Sequence, residues 1–242
     1  MALKTVVAGL LDILYPPRCL ICLAWDSPSI CPNCAQGFLP VPEPFCPTCG
    51  HSDDPLGAPC RVCAAADAAW GGWALSQIRS ASIYIGPMRH GIHRLKYGGV
   101  AALAEPLGAL LANRMVAEGL LTEHPDVVLP VPIARSRRAR RGFNQAELLA
   151  AALVDALNVP LVTTGVLREK AAEAQVRLSP DQRRRAVRGD SFTVLSPELF
   201  AGKHVLLVDD VFTTGATLNA LALCLKAQGA ARVSACALAS GG

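Results

Sequence analysis

The chain has 242 residues, of which 52% are hydrophobic, with a formal net charge of +4 and a pI near 8.6. That is enough for one sizeable α/β domain with a buried core and a small second unit. The modest charge does not by itself argue for nucleic acid, and no apolar run reaches the ~20 residues of a membrane span.

The N-terminal stretch MALKTVVAGLLDILYPPRC carries one lysine before a short apolar run and lacks the small-residue cleavage site of a secretory signal. It predicts a short helix stopped by Pro16 and Pro17, packed on the body of a cytoplasmic chain with no membrane insertion.

Eight of the ten cysteines follow between residues 19 and 63, in four CxxC pairs: Cys19/Cys22, Cys31/Cys34, Cys46/Cys49 and Cys60/Cys63. The gaps between pairs are 8, 11 and 10 residues. A CxxC turn places two thiolates on one tetrahedral edge, so eight ligands imply two closed Cys₄ sites holding structural zinc. A disulfide framework suits a cytoplasmic chain poorly. Sequential pairing of the turns closes the shorter loops, and a crossed pairing stays open. His51 is surplus to the ligand sets and reads as a solvated loop histidine, whereas Cys224 and Cys236 fall in apolar patterns and read as core.

The composition changes at AAADAAWGGWALSQ, which divides the chain into an N-terminal module, residues 1–66, and a larger domain, residues 75–242. ASIYI then reads as a strand, GPMRHGIHRLKYGG as a turn and short helix, and 101–118 as one helix with Leu103, Leu107, Leu110, Leu111 and Met115 on a face. DVVLPVPI predicts a strand, Asn144 caps a helix to about Leu157, and PLVTTGVL predicts another strand. The polar stretch 169–190 has neither period and is long enough to be a lid or a surface excursion. Strand 203–208, helix 216–228 and strand RVSACAL complete a mainly parallel sheet flanked by helices.

Charge is more informative in its distribution. Arg135, Arg137, Arg138, Arg140 and Arg141, with Arg183, Arg184, Arg185 and Arg188, make nine of the 18 arginines. Bidentate guanidinium groups suit an anionic partner, although a charge run is often only a solvated loop.

HVLLVDDVFTTGATL places Asp209 and Asp210 at the carboxyl end of an apolar strand, where open α/β sheets bind ligands. Thr213, Thr214, Gly215, Ala216 and Thr217 then offer backbone N–H groups and hydroxyls at a helix start, an anion nest preceded by Val211. No GxxxxGK[ST] is present, and two carboxylates would repel a directly approaching triphosphate. A ribose diol donating to Asp209 and Asp210, with its 5-phosphate in the loop, satisfies both features.

The stretch resembles the phosphoribosyl pyrophosphate (PRPP) signature of type I phosphoribosyltransferases. IHRLKYGG, LPVPIARSRRARRGFNQAELLA and the cysteine-rich module make nearly the whole chain similar to the ComF family of bacterial competence proteins, with a match at Arg138, Arg141, Gly142, Phe143, Asn144, Gln145 and Glu147. Where the family shows R-x-x-N-V, this chain has Arg183 followed by Ala186 and Val187. The resemblance implies a type I phosphoribosyltransferase-like domain behind a double zinc ribbon. It also implies binding of PRPP or a related ribose 5-phosphate with Mg²⁺, and a role in DNA uptake alongside other uptake proteins. Lys96, Arg137, Arg138 and Arg141 become pyrophosphate-side candidates, with Lys170 or an arginine from 183–185 closing over the ligand. Three readings stay open: a phosphoribosyltransferase of unknown acceptor, a single-stranded-DNA-binding accessory protein with a regulatory or vestigial pocket, and a scaffold whose pocket is unused.

Overall fold

The computed structural model describes residues 16–25, 27–52, 60–169 and 191–241. The expected N-terminal helix, the stretch 170–190, Lys170 and Arg183–Arg185 lie outside the described residues.

The elements are α1 (Pro32–Gln36), α2 (Arg61–Trp70), β1 (Ile78–Ile83), α3 (Gly86–Tyr97), α4 (Ala104–Ala112), β2 (Val127–Pro130), α5 (Arg135–Arg141), α6 (Gln145–Leu157), β3 (Val166–Glu169), β4 (Ser191–Val194), β5 (His204–Phe212), α7 (Ala216–Ala227) and β6 (Arg232–Ser240). Four strands form a parallel sheet in the order β1-β6-β5-β2, and β3 pairs antiparallel with β4 in a separate hairpin. The fold is therefore the expected mainly parallel, helix-flanked sheet, with a small cysteine-rich module at the N-terminus.

Several boundaries differ from those expected. The strand expected over 203–208 runs through both aspartates to Phe212, because β6 also continues and keeps the pairing up to Phe212 opposite Ser240. PLVTTGVL divides at Gly165 (φ 84°): Leu161 bridges to Val128 at the sheet edge, and the chain beyond joins β4. A Cβ at Gly165 would meet Leu199 Cδ1 at 2.9 Å, so both the turn and its packing call for glycine. The helix expected over 101–118 has a 3₁₀ turn at Ala101–Leu103, α4, and a π turn at Asn113–Ala117.

Each face of the sheet has its own core, and the cysteine-rich module joins both. Cys19, Ile21, Cys31 and Cys34 pack with Met88, Ile92, Leu107 and Leu149 under α3, α4 and α6. Cys46 and Cys49 pack with Ile78, Val205, Leu221 and Phe200 on the other face. Between them, residues 39–48 cover the free edge of β1: Leu39 O accepts from Ile83 N–H (2.9 Å) and Thr48 O from Ile78 N–H (2.8 Å). An otherwise open strand edge is thereby closed. His51 is half-buried rather than simply a solvated loop histidine, its ring 3.3 Å from Ser240 Oγ at the end of β6.

Candidate functional site

Parallel strands deliver their carboxyl ends to one side of the sheet, and β5 brings Asp209 and Asp210 there. Successive strand residues face opposite ways. Asp210, only 3% exposed, meets Lys96 Nζ of α3 at 2.7 Å, while its Oδ2 is buried without a hydrogen-bond partner among the described residues. Asp209 folds back so that Oδ1 accepts the Asp210 N–H at 2.8 Å. Burial first, then the neighbouring Asp210 charge, raise the Asp209 carboxyl to about 7, against the Asp210 N–H and the charges of Lys96 and Arg168.

The loop beyond β5 turns through Gly215 (φ 75°), whose carbonyl accepts the Asn219 N–H at 2.8 Å as α7 begins. Thr213 and Thr214 are exposed, and Thr214 Oγ1 lies 3.4 Å from Ala216 N. A recess of about 50 Å³ is lined by Asp209, Val211, Phe212 and residues 213–218, a space for one small anion against the start of α7.

The arginine stretch forms a short helix, α5, that lacks the apolar periodicity a sequence reading needs. Arg138 is committed to Glu147 through contacts of 2.7 and 3.1 Å, whereas Arg137 is exposed. Arg141 donates to Gln145 Oε1 (2.7 Å) and sits 5.1 Å from the centre of the Tyr97 ring. Tyr97 is next to Lys96, so the end of α5 abuts the end of α3 beside the Asp210 ion pair.

Three residues at the site escape sequence reasoning. Arg168 of β3 reaches Thr217 Oγ1 (3.5 Å) and Pro132 O (3.3 Å), with its guanidinium over Phe192. Trp73 packs on Gly215, and Tyr97 stands 60% exposed with the His93 ring 4.7 Å away. Only for Arg168 is there a local signal, a cation at the end of an apolar strand.

The cysteines form two sets, Cys19/Cys22/Cys31/Cys34 and Cys46/Cys49/Cys60/Cys63, each with its sulfurs within 4.8 Å of one another. Sulfur pairs at 3.8, 3.6, 3.6 and 3.4 Å approach the edge of about 3.8 Å that tetrahedral Zn–S bonds of 2.3 Å require. Backbone N–H groups of Ile21 and Cys31 point at Cys19 Sγ. Burial would raise the Cys19 thiol, but N–H groups from Cys22, Cys31 and Ile21 bring it down to about 6, which favours thiolate. Both donor sets fit zinc, in the sequential pairing.

A double zinc ribbon model matches residues 10–66 and a phosphoribosyl transferase domain model residues 100–242. The DNA utilization protein YhgH of Salmonella typhimurium is 31% identical over 226 residues, 91% of this chain and 96% of its own. The chain belongs to the ComF family. Competence protein F of Haemophilus influenzae is 29% identical, with 92% of this chain and 96% of its own covered. Competence protein ComFC of Bacillus subtilis is 28% identical, with 88% and 84% covered. Among solved structures, a Bacillus subtilis glutamine PRPP amidotransferase is 20% identical and matches 60% of this chain and 30% of its own at a TM-score of 0.42. No helix among the described residues of this ComF-family chain is long and apolar enough to cross a membrane.

Proposed function

We propose that this ComF-family chain binds PRPP or a related 5-phosphorylated ribose, together with Mg²⁺, at the end of β5. The observation that carries the reading is the junction of an acid pair, Asp210 buried and Asp209 half-buried, with a left-handed glycine turn into α7, around a recess sized for one phosphate. Ionised Asp209 and Asp210 would accept the ribose hydroxyls, and the N–H groups of 213–217 would hold the 5-phosphate. Lys96, now on Asp210, stands where it can turn to a pyrophosphate as the diol takes its place. Arg168 and Arg141 add positive charge on two sides. Bound Mg²⁺ would neutralise charge on the pyrophosphate. Transfer to an acceptor would then require positioning and electrostatics, with no protein nucleophile. Calorimetric titration of PRPP with Mg²⁺ into zinc-loaded protein should give saturable heat that an Asp209→Asn/Asp210→Asn variant lacks. Absence of heat from the wild type removes the reading.

A second reading is supported by the joined surface of α3 and α5. Arg135, Arg137 and Arg140 are exposed on α5, and the last residue of that helix, Arg141, stands 5.1 Å from the ring of the exposed Tyr97, which also has the His93 ring 4.7 Å away. Arginines along a backbone beside a stacking ring suit single-stranded DNA, in keeping with relatives named for DNA utilization and competence. Arg138 is excluded from the test because reversing it would face Glu147 with a like charge. Oligo(dT) binding should weaken steeply with salt and be lost in an Arg135→Glu/Arg137→Glu/Arg140→Glu variant. Salt-insensitive binding would discard this surface.

A further inference from the structure

Trp73 lies between the second cysteine cluster and the phosphate loop. It follows α2, which has Cys60 as its N-cap and carries Cys63 in its first turn. A Cβ placed on Gly215 would lie 2.4 Å from Trp73 Cη2 and 2.6 Å from Cζ3, so the indole edge rests directly on that glycine. The ring is tilted against Phe212 at 6.2 Å and against Trp70 at 5.4 Å. The next residue, Ala74, donates its N–H at 2.7 Å to Oδ1 of Asn219, which is 1% exposed in the first turns of α7. Residues 73 and 74 therefore brace the loop at Phe212, Gly215 and Asn219.

The other end of the indole faces the cluster. Trp73 Nε1 is buried and has no hydrogen bond of ordinary geometry among the described residues. The Cys63 side chain is the cluster group within reach of that N–H. A metal-bound thiolate is the acceptor such an orphaned donor lacks, and donors of this kind orient metal ligands from outside the ligand set.

We propose that Trp73 is the positioning residue of the phosphate loop, a strut that couples metal occupancy of the Cys46/Cys49/Cys60/Cys63 cluster to the conformation of Gly215. A glycine at positive φ has the greatest freedom to lose, and Thr213 and Thr214 are exposed, so the loop's order must come from what packs beneath it. The strut takes its own place from α2, whose start is fixed by the two cysteines. The ligand assignment rests on the ribosyl-phosphate reading; the coupling between cluster and loop does not.

Hydrogen exchange of the 211–219 amides in the zinc-loaded full chain tests the coupling without a ligand. In Trp73→Ala these amides should exchange at least about tenfold faster, with two zinc ions retained and β6 unchanged. Chelation of zinc from the wild type should reproduce the acceleration. Unchanged protection of the loop in Trp73→Ala overturns the proposal. Trp73→Phe keeps a ring on Gly215 but loses the N–H, so it should keep most loop protection and release one zinc several-fold faster to a chelator. Should Trp73→Ala lose zinc or its cooperative melting, Trp73→Phe decides: wild-type zinc release and wild-type loop exchange together overturn the coupling. Mg²⁺–PRPP titration separates the two ideas. A wild type that fails to bind defeats the ligand assignment alone, whereas equal binding by wild type and Trp73→Ala defeats the strut alone.

Discussion

Asp209 and Asp210 are adjacent in sequence but differ in electrostatic setting. Asp210 has Lys96 at 2.7 Å, whereas Asp209 is raised to about 7 by burial and by the Asp210 charge. An acid whose pKa is higher folded than unfolded, where it is near 3.9, binds its proton more tightly in the native chain. Its stabilising contribution is complete below about pH 4 and declines as pH rises to about 7. Urea unfolding from pH 5 to 8 should therefore show the wild type losing stability relative to Asp209→Asn; parallel curves would refute the shift. Ligand affinity should move the other way and strengthen through pH 7, because only the ionised carboxylate can accept both diol protons. The acids and the Thr/Gly loop were legible in the sequence because they are contiguous and the strand before them is apolar. Trp73 and Arg168 were not, since the fold brings them to the loop from separate stretches of chain, and although Tyr97 lies in IHRLKYGG, nothing local sets it beside Arg141.

At the scale of elements, local signals held where side chain and backbone act together. Asn144 is a cap by residue type and position, and it accepts the Ala146 N–H at 3.1 Å. Its amide also donates to Val131 O at 3.1 Å, fixing the start of α6 to the exit of β2, and the residue is 1% exposed. Asn144→Ala would lose the cap and leave Val131 O without this donor, which should cost roughly 2–3 kcal/mol. A shift in the urea midpoint at constant m-value is the expected result, and a change below about 0.5 kcal/mol would show that water replaces both bonds. The helix expected over 101–118 illustrates the opposite case. Pro106 has no N–H and is tolerated in a first turn, so α4 begins at Ala104 after a separate 3₁₀ turn. The apolar face was visible in the sequence, but the breaks that let it follow the sheet were not.

Taken whole, the molecule shows why two cysteine clusters matter to a sheet they do not belong to. The first contributes Cys19, Ile21, Cys31 and Cys34 to one core, and the second contributes Cys46 and Cys49 to the other. Arg79 of β1, 7% exposed, ties the second cluster to the sheet edge by donating to Pro47 O at 2.7 Å and Thr48 O at 3.5 Å. Burial lowers its pKa, while the Cys46 and Cys49 charges act to keep it protonated. A zinc tetrathiolate, with its net negative charge, would strengthen that compensation for a guanidinium that is otherwise expensive to bury. The sequence showed the cysteine spacing, but the edge of β1 that the ribbon covers pairs with residues 30 positions (Thr48 to Ile78) to 44 positions (Leu39 to Ile83) away in the chain. Zinc removal should therefore destabilise the sheet as well as the ribbon. If chelation forfeits roughly 4 kcal/mol, the far-UV melting midpoint should fall by about 10 °C in a single transition at the usual few degrees per kcal/mol for a chain of this size. Two separated transitions, with the upper one unmoved by chelator, would mean that the ribbon rests on the sheet without supporting it. The contacts along β1 and in both cores argue for the single transition.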